Sequence, residues 1–188
     1  VKQKGNTMSD HDQNIKQVKA DESLKSPVHL HTILVPTDFS HESYRAIQYA
    51  RSLAQVFHSK VMLLHVLVPV AAPDLVYGPL VWDEGKAEEA AGKQLERLKE
   101  KAHFFSETEV QCLVKTGHPF QVVSDTAQEE NTDLIIISTH GYTGFKHLLL
   151  GSVAERVIRH ATCPVLVVRE KEHEFITIDE DDSTATDG

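Results

Sequence analysis

The sequence predicts a single-domain α/β protein, built as a doubly wound, five-stranded parallel sheet flanked by helices. Strand-like and helix-like patterns alternate from about residue 30 to residue 169, and this alternation requires parallel strands with right-handed crossovers. The runs at 33–35 and 134–137 are continuously apolar, as expected for strands covered on both faces. A chain of 188 residues is long enough for one well-buried core.

Two strands and two helices are predicted in the first half of this region. Residues 32–37 form a short β-branched run, and residues 41–57 repeat apolar side chains on one helical face. Residues 61–68 are again apolar and predict the second strand. Residues 83–105 are rich in helix formers, with acids in the first turn and bases later, as the helix dipole favours.

Three strands and two helices follow in the second half. Residues 109–115 predict a third strand, and residues 118–130 predict a helix whose proline stands at a tolerated first position. Residues 133–139 predict the fourth strand and residues 152–161 the fourth helix. The apolar run at 164–169 completes the sheet as its last strand.

Both ends of the chain differ in composition from this region. Residues 1–29 are polar and without period, which predicts a flexible arm because little apolar surface offsets the entropy of ordering it. Residues 30–170 form the predicted domain, and residues 171–188 an acidic flexible tail. A short strand at 174–178 is the alternative for part of that tail.

The charge distribution excludes one class of partner. The formal charge is −9, and residues 170–188 contribute −7 of it, with eight acids against one lysine. The remainder is close to neutral and has no basic stripe, whereas nucleic-acid binding needs clustered Lys and Arg. We therefore expect no nucleic acid among the partners.

Cysteine, histidine and hydropathy patterns point to a cytoplasmic protein and disfavour a metal site built from histidines. Cys112 and Cys163 both fall in strand-like runs, which favours buried structural thiols; a disulfide requires that the two strands be close. The histidines lack the spacing of a helical pair or a zinc hairpin. The sequence contains neither a signal peptide nor a run of eighteen apolar residues, so we expect no membrane contact.

Three features gather where strands end, which is where ligands bind on doubly wound sheets. Asp38 directly follows the first strand, and Ser40 is placed to cap the next helix. The alternative for Asp38 is a capping or Asx-turn acid. The loop at 138–152 contains Gly141 and Gly144, which let a backbone approach a ligand.

The third feature is the start of the fourth helix at Gly151 and Ser152. Ser152 and Glu155 have the spacing of a capping box, so the hydroxyl is a candidate cap for the amide of Glu155. The same helix start exposes the amides of Val153 and Ala154, with the positive end of the dipole behind them, which suits a phosphate. Capping and anion binding are compatible.

Several common nucleotide and hydrolase motifs are absent from the sequence. It has no G-x-x-x-x-G-K-[ST] motif, no G-x-G-x-x-G after the first strand, and no G-x-S-x-G elbow. A P-loop NTPase, a dinucleotide-binding fold of the usual kind and an α/β-hydrolase are therefore disfavoured.

The segments ILVPTDFSHES, LLHV, TGHP and STHGYTGFKHLLLGSVAERVIRHATCPVLVVR closely resemble the universal stress protein family, over about residues 30–169. Its ATP-binding members have a pattern of Gly, two residues, Gly, nine residues, Gly, then Ser or Thr. Gly141, Gly151 and Ser152 match this pattern, and Ser138 stands where the first glycine belongs. The Ser138 hydroxymethyl either crowds the ligand or donates a hydrogen bond to it.

The resemblance implies an ATP-binding stress-response module, with Mg²⁺ as the expected companion ion. Asp38 is implied as a possible metal contact. The implied nucleotide contacts, on the adenine and ribose side, around the loop and at the phosphates, are Pro36, Asp38, Val66, Ile137, Ser138, His140, Gly141, Gly151, Ser152, Val153 and Ala154. His140 is expected to pack or orient the loop rather than act as an acid or base.

Two further expectations concern assembly and access. The last strand begins with Pro164, which is tolerated at an edge, and an apolar edge predicts a homodimer through strand pairing. The apolar, proline-broken segment 68–82 is either a lid over the nucleotide or over a partner, or a loop packed on the second helix. A slow ATPase and a structural dimer without nucleotide remain the alternatives to an ATP-binding module.

Overall fold

A computed structural model describes residues 28–69, 83–139 and 151–169 together with Ile176. Most of the predicted arm, most of the acidic tail and nearly all of the predicted lid at 68–82 lie outside the described residues. At the alternative strand 174–178, Ile176 is a bend that packs against the core, and its neighbours also lie outside.

The described residues form five strands and four helices that alternate along the chain. In order they are β1 Thr32–Pro36, α1 His41–Phe57, β2 Lys60–Leu67, α2 Glu84–Lys101, β3 Val110–Thr116, α3 Pro119–Glu129, β4 Leu134–Ser138, α4 Ser152–His160 and β5 Val165–Val168. Each predicted element is present, and most bounds differ from the prediction by one or two residues. No helix in the described part of the chain is both long and apolar enough to cross a membrane.

All strands are parallel, and their order in the sheet is β3-β2-β1-β4-β5. The predicted doubly wound, five-stranded fold is therefore confirmed. From β1 the chain winds outward through β2 to β3, then crosses to β4 on the other side of β1. The winding reverses between β1 and β4, so the carboxyl ends of these two strands flank the crevice where such sheets bind ligands.

Each face of the sheet is covered by two helices. Strand residues such as Ile33 and Leu63 pack with α1 and α2, through residues that include Ile47 and Leu95. Their neighbours in the strands, including Leu34, pack with α3 and α4 on the opposite face. The central strand residues are fully buried, which is why their sequences are apolar on both faces.

The second helix ends earlier than predicted. The expected range of 83–105 extends past the observed end at Lys101, because Ala102 caps the helix and His103 has a left-handed φ of 47°. A residue with this backbone conformation cannot continue a right-handed helix. Asp83 is the N-cap of this helix, and its side chain accepts from the amide of Lys86 at 3.1 Å.

The two cysteines lie at opposite ends of the strand order. Cys112 is in β3, and Cys163 precedes β5. Both thiols are free, so the alternative of a disulfide is excluded, and both are half-buried rather than fully buried as predicted. Burial raises the pKa of Cys112 to about 11, with Glu96 adding to the shift, and burial also raises the pKa of Cys163.

Candidate functional site

A cavity of about 320 Å³ lies at the carboxyl ends of β1, β2 and β4. The N-terminal parts of α1, α3 and α4 complete its described wall. Nine residues predicted for the site line this cavity: Pro36, Asp38, Val66, Ile137, Ser138, Gly151, Ser152, Val153 and Ala154. His140 and Gly141, the other two, lie outside the described residues.

The turn after β1 holds Asp38 in place through several short contacts. The carboxylate of Asp38 accepts hydrogen bonds from the amide and the hydroxyl of Ser40, at 3.1 and 2.5 Å. Ser40 is the N-cap of α1, and its side chain accepts from the amide of Ser43 at 3.1 Å, so its predicted capping role is confirmed. Asp38 thus forms the Asx-type turn that was its local alternative, and it also lines the cavity.

Two hydroxyls that the sequence did not single out lie beneath this turn. Thr37 and Ser43 are both buried at the cavity wall, with their side-chain oxygens 2.8 Å apart. Ser43 donates its hydroxyl hydrogen to the carbonyl of Ser40 at 2.9 Å, which leaves Thr37 as the donor between the two. The Thr37 oxygen in turn accepts from the amide of Phe39 at 3.1 Å.

His65 at the end of β2 supports the same turn from the neighbouring strand. Its Nδ1 lies 2.9 Å from the carbonyl oxygen of Thr37. Since a carbonyl only accepts, Nδ1 is the donor and carries a hydrogen. The imidazole also packs against the ring of Phe39, with centroids 4.3 Å apart.

One half of the cavity is apolar. Its side chains come from β2, β4 and α3, and are Leu64, Val66, Pro119, Val123 and Ile137. Gly117 forms a bend between β3 and Pro119, the first residue of α3. Gly117 has φ of +150°, and an added Cβ would lie 2.8 Å from Val122, so glycine is required here.

The start of α4 forms the opposite, polar wall. Gly151 is the N-cap of this helix, and Ser152 is its first residue. The amide of Gly151 donates to the carbonyl of Thr139 at 2.6 Å, and the amide of Glu155 donates to the carbonyl of Gly151 at 2.9 Å. The capping box predicted between Ser152 and Glu155 is therefore wrong, because Ser152 is already inside the helix.

This helix start keeps amides available for an anion. Gly151 has no side chain to cap α4, and the first turn of a helix has no intrahelical acceptors for its amides. Ser152 and Val153 are exposed, and both line the cavity with Ala154. The positive end of the helix dipole lies behind them, so this wall favours negative charge.

Gly151 is also needed for steric reasons. A Cβ added there would collide with the carbonyl oxygen of Thr139 and lie 3.4 Å from its carbonyl carbon. The Thr139 amide is itself fixed by the carbonyl of Val168 at 3.0 Å, which ties the end of β4 to β5. The start of α4 can therefore approach the end of β4 this closely only without a side chain at residue 151.

The chemistry of the lining suits binding of a partly apolar anion. Apart from His65, Asp38 is the single ionisable residue among the lining residues that the structure describes. Within the same described ranges, no three His, Cys, Asp or Glu side chains group to hold a metal ion. The cavity combines an apolar half, a hydroxyl-rich floor and a helix N-terminus.

Sequence reasoning missed seven lining residues: Thr37, Ser43, Leu64, His65, Pro119, Val123 and Thr139. Thr37, His65 and Thr139 directly neighbour predicted residues at strand ends, so their positions were accessible to the same argument. The contribution of α3 could not be predicted in this way, because it depends on the strand order and on which face of the sheet that helix covers.

Comparison with known proteins identifies related chains. The Universal stress protein family matches residues 29–169. Universal stress protein MJ0531 of Methanocaldococcus jannaschii is 33% identical over 149 residues, covering 76% of this chain and 84% of the relative. The solved structure of MJ0577, from the same organism, is 28% identical with a TM-score of 0.64, and covers 78% of this chain and 100% of its own.

A more distant solved structure shares the fold. It is a universal stress protein in complex with cAMP, 22% identical to this chain with a TM-score of 0.56. The alignment covers 77% of this chain and 100% of that protein.

Proposed function

This chain belongs to the universal stress protein family, and on that basis we propose that it binds ATP with Mg²⁺ at the carboxyl ends of β1 and β4. Nucleotide occupancy would then regulate its interactions in a stress response. The binding residues would be the nine predicted residues that line the cavity, with His140 and Gly141 from the adjoining loop.

The observation that carries this proposal is the start of α4. Gly151 lets the start of α4 pack closely against the end of β4 at the cavity, where an added Cβ would collide with the carbonyl oxygen of Thr139. No side chain in the described part of the chain caps the first turn of α4, and the positive end of the helix dipole faces the same cavity. This combination is a general solution for phosphate binding.

The rest of the cavity fits the remainder of a nucleotide. Leu64, Val66 and Val123 offer an apolar surface to a base, and Asp38, Thr37 and Ser43 offer oxygens nearby. Asp38 adds a negative charge to the described lining, so a divalent cation would offset both this carboxylate and the phosphates. The solved relative in complex with cAMP holds an adenine nucleotide in that protein.

Ser138 is compatible with this proposal. It ends β4, pairs with Val168 of β5 and is half-buried at the cavity. Its hydroxyl is a hydrogen-bond donor that the family glycine lacks. We expect it to be retained as a ligand contact rather than to block the site.

Mass analysis of nucleotide released from the purified, denatured protein identifies the ligand without assuming one. Calorimetry with Mg-ATP, and separately with cAMP, then measures affinity. If neither nucleotide binds the wild type, but Ser138→Gly gains binding, the chain has lost the ligand, and the alternative of a structural dimer holds.

A charge substitution tests where the phosphates of the nucleotide bind. Val153 is exposed in the first turn of α4 and lines the cavity. Val153→Glu places a carboxylate where the phosphates would bind, while an acid near a helix N-terminus favours the helix. We expect at least about a tenfold loss of affinity, equivalent to about 1.4 kcal/mol, without loss of fold.

The matched control is Ile158→Glu. Ile158 lies on the same helix, is 42% exposed and is not among the residues lining the cavity. It introduces the same charge away from the proposed phosphates, so Mg-ATP affinity should remain within about twofold of wild type. If both variants lose the same affinity for Mg-ATP, either the nucleotide binds elsewhere or the effect is due to net charge.

A slow ATPase is the second candidate. Radiolabelled ATP turnover in the wild type has to exceed that of Val153→Glu for this activity to belong to the cavity. A homodimer through β5 completes the proposal, because β5 lies at an edge of the sheet.

A further inference from the structure

We propose that His65 is a positioning residue, which fixes the turn between β1 and α1 and thereby holds Asp38 at the cavity wall. The inference deepens the nucleotide-binding function proposed above and rests on it wherever affinity is measured. Its structural basis is independent of any ligand.

The contact between His65 and Thr37 lies where β1 and β2 separate. β1 and β2 pair as far as Pro36 and Leu64, and the amide of Thr37 still donates to the carbonyl of Leu64 at 2.8 Å. In a continued parallel ladder, the carbonyl of Thr37 would receive a main-chain N–H from β2. It receives Nδ1 of His65 instead, at 2.9 Å. The imidazole thus occupies the place of the next backbone hydrogen bond.

The side-chain hydrogen bond from His65, which replaces a backbone hydrogen bond, affects the shape of the site. A side chain is longer than a backbone amide, so a turn held by His65 lies farther from β2 than a continued strand would. Asp38 and Val66, the residues that follow Thr37 and His65, both line the cavity. His65 therefore keeps apart the two strand ends between which a ligand would enter.

The second observation concerns the residue after Asp38. Phe39 has φ of 66°, a left-handed conformation that is rare for a bulky side chain. Such a conformation persists only where the surroundings hold it. The ring of Phe39 packs on the imidazole of His65, with a centroid distance of 4.3 Å and planes tilted by 31°.

His65 consequently supports Asp38 from both sides. It binds the carbonyl of the residue before Asp38 and packs on the ring of the residue after it. Hydrogen bonds from Ser40 then orient the Asp38 carboxylate within the turn. Loss of the imidazole should shift the whole turn, rather than only one side chain.

Calorimetry with Mg-ATP separates the two contacts. His65→Phe keeps an aromatic ring for Phe39 but removes the donor to Thr37, and should weaken binding by about tenfold, the scale of one hydrogen bond. His65→Asn retains an N–H donor near the position of Nδ1 but lacks a ring for Phe39, and should recover part of that loss. An affinity of His65→Phe equal to wild type overturns the proposal.

His160→Phe is the matched control. Nδ1 of His160 lies 2.7 Å from the carbonyl of Arg156, and its ring lies 5.7 Å from that of Phe120. It repeats the chemistry of His65 at an exposed place that does not line the cavity. The Mg-ATP affinity of His160→Phe should match that of the wild type. A tenfold loss of affinity in this variant would show that such histidines act through general stability, contrary to the proposal.

A measurement without ligand keeps this inference separate from nucleotide binding. In ¹⁵N NMR spectra, neutral His65 should carry its hydrogen on Nδ1, and the amide resonances of Thr37, Asp38 and Phe39 should move in His65→Phe. A hydrogen on Nε2 in the wild type, or unmoved amide resonances in His65→Phe, overturns the proposal. Failure of Mg-ATP to bind the wild type overturns the proposed function instead.

Discussion

At the scale of single residues, Gly151 is the position where one added carbon should most affect stability and nucleotide binding. The Cβ of Gly151→Ala would collide with the carbonyl oxygen of Thr139, so β4 or α4 has to move. We expect a loss of about 1–3 kcal/mol in the free energy of unfolding, the usual cost of overpacking. We also expect a loss of Mg-ATP binding. Urea denaturation and calorimetry measure the two effects.

A second glycine provides the control for this substitution. Gly92 lies within α2, and an added Cβ would have no neighbour within 4 Å. Gly92→Ala should therefore stabilise the protein by about 0.5–1 kcal/mol, because alanine has the higher helix propensity. A similar loss in both variants would contradict the steric explanation for Gly151.

Cys112 gives a prediction about pH. Burial, assisted by Glu96, raises the pKa of this thiol to about 11 from its ordinary value of 9.0. The folded state then holds its proton more tightly than the unfolded state, so this thiol's contribution to stability is complete below pH 9 and is lost as the pH rises towards 11. Cys112→Ala should remove this thiol's part of the loss of stability at high pH.

Thiol alkylation measures the same shift directly. The thiolate is the nucleophile, so Cys112 should react with iodoacetamide more slowly at pH 9 than a cysteine in an unfolded peptide. Cys163→Ala isolates the signal of Cys112 in this experiment. A rate equal to that of the peptide would contradict the raised pKa.

At the scale of elements, the sequence predicted existence and type better than termini. Apolar periodicity located each strand and helix, because burial on one or two faces imposes that pattern. It did not predict the helix end at Ala102 or the N-cap at Gly151, since both depend on local backbone conformation. The strand order, which brings β4 beside β1, involves contacts between distant segments that alternation alone does not specify.

The same distinction applies to the candidate site. Residues directly after strands, such as Asp38, were predictable because parallel strands end at one edge of the sheet. Ser43 and Val123 were not, because each lies inside a helix and reaches the cavity only through packing against the sheet. The supporting role of His65 was equally hidden, since its partner Thr37 lies in another strand's turn.

The end of α1 permits a prediction at this scale. His58 caps the helix with φ of 55° and ψ of 42°, and its amide donates to the carbonyl of Ala54. Glycine adopts this left-handed conformation without the steric cost of a Cβ, so His58→Gly should stabilise the protein by about 0.5–1 kcal/mol. Thermal and urea denaturation measure this gain. His58→Val should instead destabilise it, because a β-branched side chain resists positive φ.

At the scale of the whole molecule, the sheet has two edges with different surroundings. β3 forms one edge and contains Lys115, which pairs with Glu129; Glu109, just before this strand, pairs with Lys60 of β2. β5 forms the other and has the sequence VLVV, without a charged residue. Charges protect an edge strand from pairing with another chain, so β5 is the edge better suited to a partner strand.

Backbone direction in β5 makes the predicted homodimer testable. The carbonyls of Pro164 and Val168 accept from β4, so main-chain groups of every second residue face inward, and those of Val167 face the open edge. Val167→Pro removes an outward N–H without removing a hydrogen bond to β4. We expect this variant to remain folded but to sediment as a monomer at micromolar concentration. Leu166→Pro, on the inward-facing register, should lower the free energy of unfolding. A wild-type monomer, or a Val167→Pro dimer as tight as wild type, would contradict pairing through β5.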